Sequence, residues 1–125
     1  MSRVRSRDTA PERAARRLLT DMGYRYRLHY GRVPGRPDIA FPGRRKAIWV
    51  HGCFWHQHPG CSKAALPKSR RDFWIPKLNS NRNRDLAVEA EARSRGWDTL
   101  VLWECELKAP REVADRLKRF LDESH

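Results

Sequence analysis

Apolar and polar positions follow two different periods along this chain, and the switches between them mark out its elements. Ala14, Ala15, Leu18, Leu19 and Met22 recur at helical spacing behind the capping box Thr9-x-x-Glu12, with Pro11 close to the first turn and Gly23 as the stop. Tyr24, Tyr26, Leu28 and Tyr30 then alternate with Arg25, Arg27 and His29, which predicts a half-buried strand. After a loop from Gly31 to Pro37, Asp38–Phe41 and Lys46–Val50 read as the strands of a hairpin turned at Pro42-Gly43. Residues 52–68 keep neither period and carry Gly, Pro, His and Cys; a loop of that length is uncommon unless it is pinned or functional. Pro76 opens a predicted helix that runs to Arg95 and stops at Gly96, with thin apolar spacing at Leu78, Leu86, Val88 and Ala90. Trp97–Trp103 reads as a buried strand, and Val113, Leu117, Phe120 and Leu121 place an amphipathic helix behind Pro110. The order α-β-β-β-α-β-α predicts an α/β fold with one mixed sheet flanked by helices. No repeat or linker interrupts it, so residues 1–125 are expected to form one domain.

Charge narrows the partners. Lys and Arg number 27 against 15 acidic residues, a net charge of +12, which favours a polyanion. Arg dominates the excess, as suits phosphate recognition. Charge alone leaves simple RNA binders in contention. No run approaches the ~18 apolar residues of a spanning helix, and no apolar segment of a signal peptide follows Met1, so a cytoplasmic protein without membrane contact is expected.

The candidate chemistry concentrates in His51-Gly-Cys-Phe-Trp-His56, which sets two imidazoles, a thiol and two adjacent rings in six residues. The 3 cysteines, Cys53, Cys61 and Cys105, are too few for a disulfide scaffold. With His58 they form C-x4-H-x2-C plus a distant fourth donor, the Cys3His composition of a closed structural Zn²⁺ site. Such a site would fasten the long loop to the end of the last strand. His56 is an alternative to His58 as its nitrogen ligand. Asp38 begins one strand of the hairpin and Val50 and His51 end the other, so they can meet at one sheet edge. A carboxylate with a backbone carbonyl there can hold a hydrated Mg²⁺. His51 and His56 can then serve as proton acceptor or as donor to a phosphate, each needing an orienting carboxylate, with Glu12 and Asp85 as candidates. Of the 5 tryptophans, Trp49, Trp97 and Trp103 fall in strands and are expected to be buried. Phe54 and Trp55, in a polar loop, and Trp74, beside basic residues, are better placed to wedge between bases.

At Arg7-Asp8-Thr9-x-x-Glu12, Leu18-Leu19, Pro34-Gly35-Arg36-Pro37-Asp38, His51-Gly-Cys-Phe-Trp-His56, Phe73-Trp74, Arg84-Asp85, Gly96-Trp97 and Trp103-Glu104-Cys105 the chain resembles the very-short-patch repair (Vsr) endonucleases. The resemblance runs through nearly the whole chain in order. It implies a restriction-endonuclease-like fold, a structural zinc, and Mg²⁺-dependent nicking 5′ to the T of a T:G mismatch left by deaminated 5-methylcytosine. It further implies a monomer acting on double-stranded DNA, with a functional link to a cytosine-5 methyltransferase. Carried onto this sequence, it makes Asp38 the metal carboxylate and the Val50 carbonyl a second metal contact. It makes His56, paired with Asp85, the water-activating histidine, and His51, supported by Glu12, the second. Phe54, Trp55 and Trp74 become the wedge. The family's basic N-terminal arm is expected to be short or absent here, with Met1 at its inserting position. The alternatives are a nuclease of the same fold for another DNA structure and a zinc-stabilised DNA-binding module without catalysis.

Overall fold

The computed structural model describes residues 9–122. Helix α1 (Ala10–Asp21) starts where the Thr9 hydroxyl accepts the Glu12 amide at 3.4 Å. Strands β1 (Arg27–Leu28), β2 (Ile39–Phe41), β3 (Lys46–His51) and β4 (Asp98–Trp103) form a sheet in the order β1-β2-β3-β4. Pairing is antiparallel from β1 to β3 and parallel between β3 and β4, with helix α2 (Arg71–Ser94) as the crossover. Helix α3 (Pro110–Asp122) closes the chain's described part. The α/β mixed sheet matches the sequence expectation in order and pairing.

Two elements differ from it. The tyrosine-rich segment contributes only two strand residues, because the three-residue β2 offers it partners only for Arg27 and Leu28. Tyr24 and Tyr26 alternate onto the expected face and pack edge-on against Phe41, but without a paired backbone. Helix α2 begins at Arg71 rather than Pro76, so the proline lies in its second turn and the bond its N–H would have made to the Asp72 carbonyl is lost.

The sheet is covered on both faces, and strand alternation sorts the residues. Ile48 and Val50 of β3, with Ile39, Phe41 and Leu102, pack on Ala15 and Leu19 of α1 and on Val113, Leu117 and Leu121 of α3. Ala47 and Trp49, with Ala40, pack on Ala92 of α2, Trp97 and Val33. Each fully buried Leu or Ile in such a layer contributes about 1.5–3 kcal/mol relative to exposure. The same alternation sends His51 to the α2 face. Its parallel partner in β4, Trp103, shares the parity of Val101 and faces α2 as well. Among the described residues no helix is long and apolar enough to cross a membrane.

Candidate functional site

Asp38 precedes β2 with the parity of Ala40, so it too lies on the α2 face, beside the C-terminal end of β3. Its Oδ2 accepts the Val50 amide at 2.6 Å. The charge is costly there: burial pushes the Asp38 carboxyl up to about 7 against the help of that amide, and Glu12 pushes in the same direction. Glu12 itself is buried in the first turn of α1. Asp38, Val50, His51, His56, Asp85 and Glu12 all line one cleft of about 520 Å³, with Arg36 and Arg84 at its wall.

Two imidazoles occupy its centre. His51 and His56 stack face to face, centroids 3.9 Å apart and 7° from parallel. Asp85, reaching in from α2, binds His56 Nδ1 at 2.5 Å. Burial holds His51 down at about 4, reinforced by His56 and opposed by Asp85, so its ring is neutral at neutral pH. Among the described residues its buried Nδ1 has no hydrogen-bond partner, the kind of orphan that native interiors rarely keep. The expected Glu12–His51 pairing is absent from this arrangement. The charges acting on His51 are His56 and Asp85, whereas Glu12 acts on Asp38, because α1 approaches the cleft from the opposite face of the sheet.

The loop after β3 explains how six residues feed two clusters. Amides of His56 and His58 bond the carbonyls of Gly52 and Cys53, at 3.1 and 2.9 Å. This tight coil brings residues five apart together: His51 against His56, and Cys53 against His58. Gln57, in the left-handed region at φ 51°, makes the reversal. Its side-chain amide donates to the Phe54 and Ala64 carbonyls at 2.7 and 3.1 Å.

On the far side, ligand atoms of Cys53, His58, Cys61 and Cys105 lie within 4.8 Å of one another. His58, not His56, supplies the nitrogen. Its Nδ1 is 3.7 Å from Cys53 Sγ and 3.4 Å from Cys105 Sγ. Around an ion bound at ~2.3 Å from sulfur and ~2.0 Å from nitrogen, the tetrahedral edge is about 3.6 Å, which the two His58–thiol distances match. Burial pushes the Cys53 thiol up to about 12, while the Lys63 amide draws Cys61 down. Burial thus disfavours the Cys53 thiolate, which a cation among these donors would stabilise. The Glu104 carboxylate accepts the Cys53 amide at 3.1 Å and ties the cluster to the end of β4.

Phe54, Trp55 and Trp74 do meet, with centroids 5.2 to 5.8 Å apart. Phe73 joins them at 5.0 Å from Trp74 and is 44% exposed. Met1 lies outside the described residues. Trp49 and Trp97 are buried as expected, but Trp103 is only half-buried. Trp103 stacks on His58 at 4.2 Å and meets His51 in a T-shaped contact at 5.1 Å, bridging the two clusters. Sequence reading missed this role, as it missed Gln57, Glu104 and Phe73. The adjacency of Trp103 to Cys105 and its parity in β4 were the available signals.

The profile of the family described as DNA mismatch endonuclease Vsr matches residues 1–63. The chain is 51% identical to the type II nicking enzyme V.XorIIP of Xanthomonas oryzae over 99% of its own length and 90% of that protein's. It is 36% identical to the DNA mismatch endonuclease Vsr of Escherichia coli over 92% of this chain and 73% of that one. Among solved structures, the catalytic domain of the homing endonuclease I-Bth0305I superposes with a TM-score of 0.63 at 24% identity, covering 90% of this chain and 94% of the other. That likeness shows the restriction-endonuclease-like fold. Identity sustained along the full length, with a family profile over residues 1–63, carries the conclusion that this chain belongs to the Vsr family of DNA mismatch endonucleases.

Proposed function

We propose that this endonuclease nicks one strand of double-stranded DNA on the 5′ side of the T in a T:G mismatch. The observation that carries the reading is the meeting of Asp38, Val50, His51, His56 and Asp85 in one cleft, with the rings of Phe54, Trp55 and Trp74 projecting from the same loop and the facing helix. Asp38 and the Val50 carbonyl would hold a hydrated Mg²⁺, since a strand residue directs its N–H and C=O to the same side and the Val50 N–H already points at Asp38. When bound, such an ion stabilises charge on the phosphate and lowers the pKa of water.

The remaining chemistry belongs to the side chains. Asp85 accepts the Nδ1–H of His56, which leaves the Nε2 lone pair free to take a proton from the attacking water. Stacked imidazoles disfavour a second charge, and His51 is the ring held neutral. It offers its single N–H to a phosphate oxygen. The aromatic rings would enter beside the mismatch, where a weakened stack lowers the cost of insertion. The Cys53, His58, Cys61 and Cys105 cluster would hold a structural Zn²⁺. One chain supplies every one of these groups, which supports a monomer working as a single 125-residue domain on chromosomal DNA. T:G pairs arise when 5-methylcytosine deaminates, so the enzyme's work would follow a cytosine-5 methyltransferase.

The test is a nicking assay on end-labelled duplexes carrying T:G or matched pairs, with Mg²⁺ against Ca²⁺. A single Mg²⁺-dependent nick 5′ to the mismatched T is expected, reduced at least about 10³-fold in Asp38→Ala. Cutting that ignores the mismatch would replace this reading with a nuclease for another DNA structure.

A further inference from the structure

Left-handed backbone at a residue with a side chain is strained, and it persists only where its surroundings hold it. Among the described residues five non-glycine positions adopt it: His29, Arg36, Arg45, Gln57 and Arg70. Three have side chains that account for themselves within the fold. The Arg45 guanidinium donates to the Arg95 carbonyl at 2.6 Å and lies over Trp97. Gln57 braces its own loop, and Arg70 lies over Phe73 at 4.8 Å. His29 and Arg36 are the other two, and both line the catalytic cleft.

Arg36 is the sharper case. Its backbone is at φ 47°, directly behind Gly35 at φ 78°. The turn is pinned, because a Cβ on Gly35 would sit 2.0 Å from Val88 Cγ1 on α2. The side chain passes over Gly31, whose Cβ would meet Arg36 Nε at 3.9 Å. Its guanidinium has no hydrogen bond or ion pair among the described residues. The carboxylates nearby are engaged elsewhere: Asp38 by the Val50 amide, Asp85 by His56, and Glu89 by Arg93 at 3.4 Å. The cleft is also lined by Glu12, so a DNA phosphate entering it meets four carboxylates and needs a fixed cation. A planar guanidinium matches two phosphate oxygens at once.

We propose that Arg36 is a substrate-binding residue that grips a phosphate of the strand lying in the cleft, and that the strained turn exists to aim it there. The proposal rests on the cleft's being the nicking site. It separates cleanly from a structural role because glycine is comfortable at φ 47°. Arg36→Gly is expected to melt at or above the wild-type temperature while kcat/KM falls about 10-fold or more. Binding to duplex DNA in Ca²⁺ is expected to weaken, with the slope of log K against log salt shallower by about one. Arg36→Lys keeps the slope but not the fork, and should recover only part of kcat/KM. Wild-type kcat/KM and slope in Arg36→Gly, or a lowered melting temperature that accounts for the loss, would overturn the proposal. The binding arm needs no cutting, so it decides Arg36 even if the T:G specificity proposed above fails.

Discussion

Between residues 51 and 61 one coil of backbone feeds two clusters that differ in how their polar atoms are satisfied. The Cys53, His58, Cys61 and Cys105 group is closed: its four donors lie within 4.8 Å of one another, and Glu104 holds the loop behind them. The cleft a few ångströms away is open. It keeps a carboxyl raised to about 7, a histidine depressed to about 4, and a buried imidazole nitrogen with no partner among the described residues. A closed shell stabilises the fold once a cation joins it. An open one holds polar groups in unfavourable surroundings until substrate and metal arrive, so its stability is sacrificed for function. Trp103 lies between the two, stacked on His58 and in a T-shaped contact with His51, so one ring touches a member of each cluster.

The largest expected effect strikes the closed side. Cys53 is fully buried, and Cys53→Ser removes one of the four donors and leaves a hydroxyl among thiols. Structural metal binding is folding free energy, so losing it should lower stability by several kcal/mol and the melting temperature by ~10 °C or more. Calorimetry with elemental analysis would read both, and the bound metal should vanish with the stability. A Cys53→Ser protein that melts like wild type, or a cleft variant that loses the metal equally, would erase the distinction between the clusters.

Next in size is a break inside the open side. In Asp85→Asn the amide can donate to His56 Nδ1, which forces the proton onto Nε2 and removes the lone pair that faces substrate. A fall of about 10²-fold in kcat is expected, with KM nearly unchanged and the fold intact. An unaltered kcat under single-turnover conditions would mean that His56 does not take the proton.

The two sides were unequally legible in the sequence. Residue type and spacing carried α1 and α3, whose apolar stripes repeat at helical period, and they carried the donor set, because cysteines are scarce and chemically specific. Alternation reads which face a side chain takes but not whether a partner strand exists, so the tyrosine segment was overextended. Proline rules place Pro76 in a first turn, whereas the chain turns helical at Arg71 and thereby brings Phe73 and Trp74 to the aromatic cluster. Choosing between His56 and His58 required the five-residue coil, which depends on the left-handed Gln57, and nothing in a glutamine announces that conformation. Trp103 acquired its place from the register His51↔Trp103, a long-range pairing invisible to local pattern.

The smallest effect tests the open side most directly, through pH. Asp38 prefers its proton in the folded state, so its contribution to stability is present below its ordinary 3.8 and is lost as pH rises toward 7. His51 prefers to be neutral when folded, so its contribution is present above 6.5 and is lost as pH falls toward 4. Between those limits the slopes oppose each other, and the wild type without Mg²⁺ should have nearly flat stability there. Asp38→Asn removes one slope while its amide oxygen can still accept the Val50 N–H. The variant should then be more stable than wild type near pH 8, by on the order of 2 kcal/mol, and should lose a similar amount between pH 6.5 and 4. Denaturant melts at fixed Zn²⁺ without Mg²⁺ would measure both. If Asp38→Asn is no more stable than wild type at pH 8, the cleft holds its carboxylate without strain, and the contrast between a stabilising cluster and a destabilised site fails at its most specific residue.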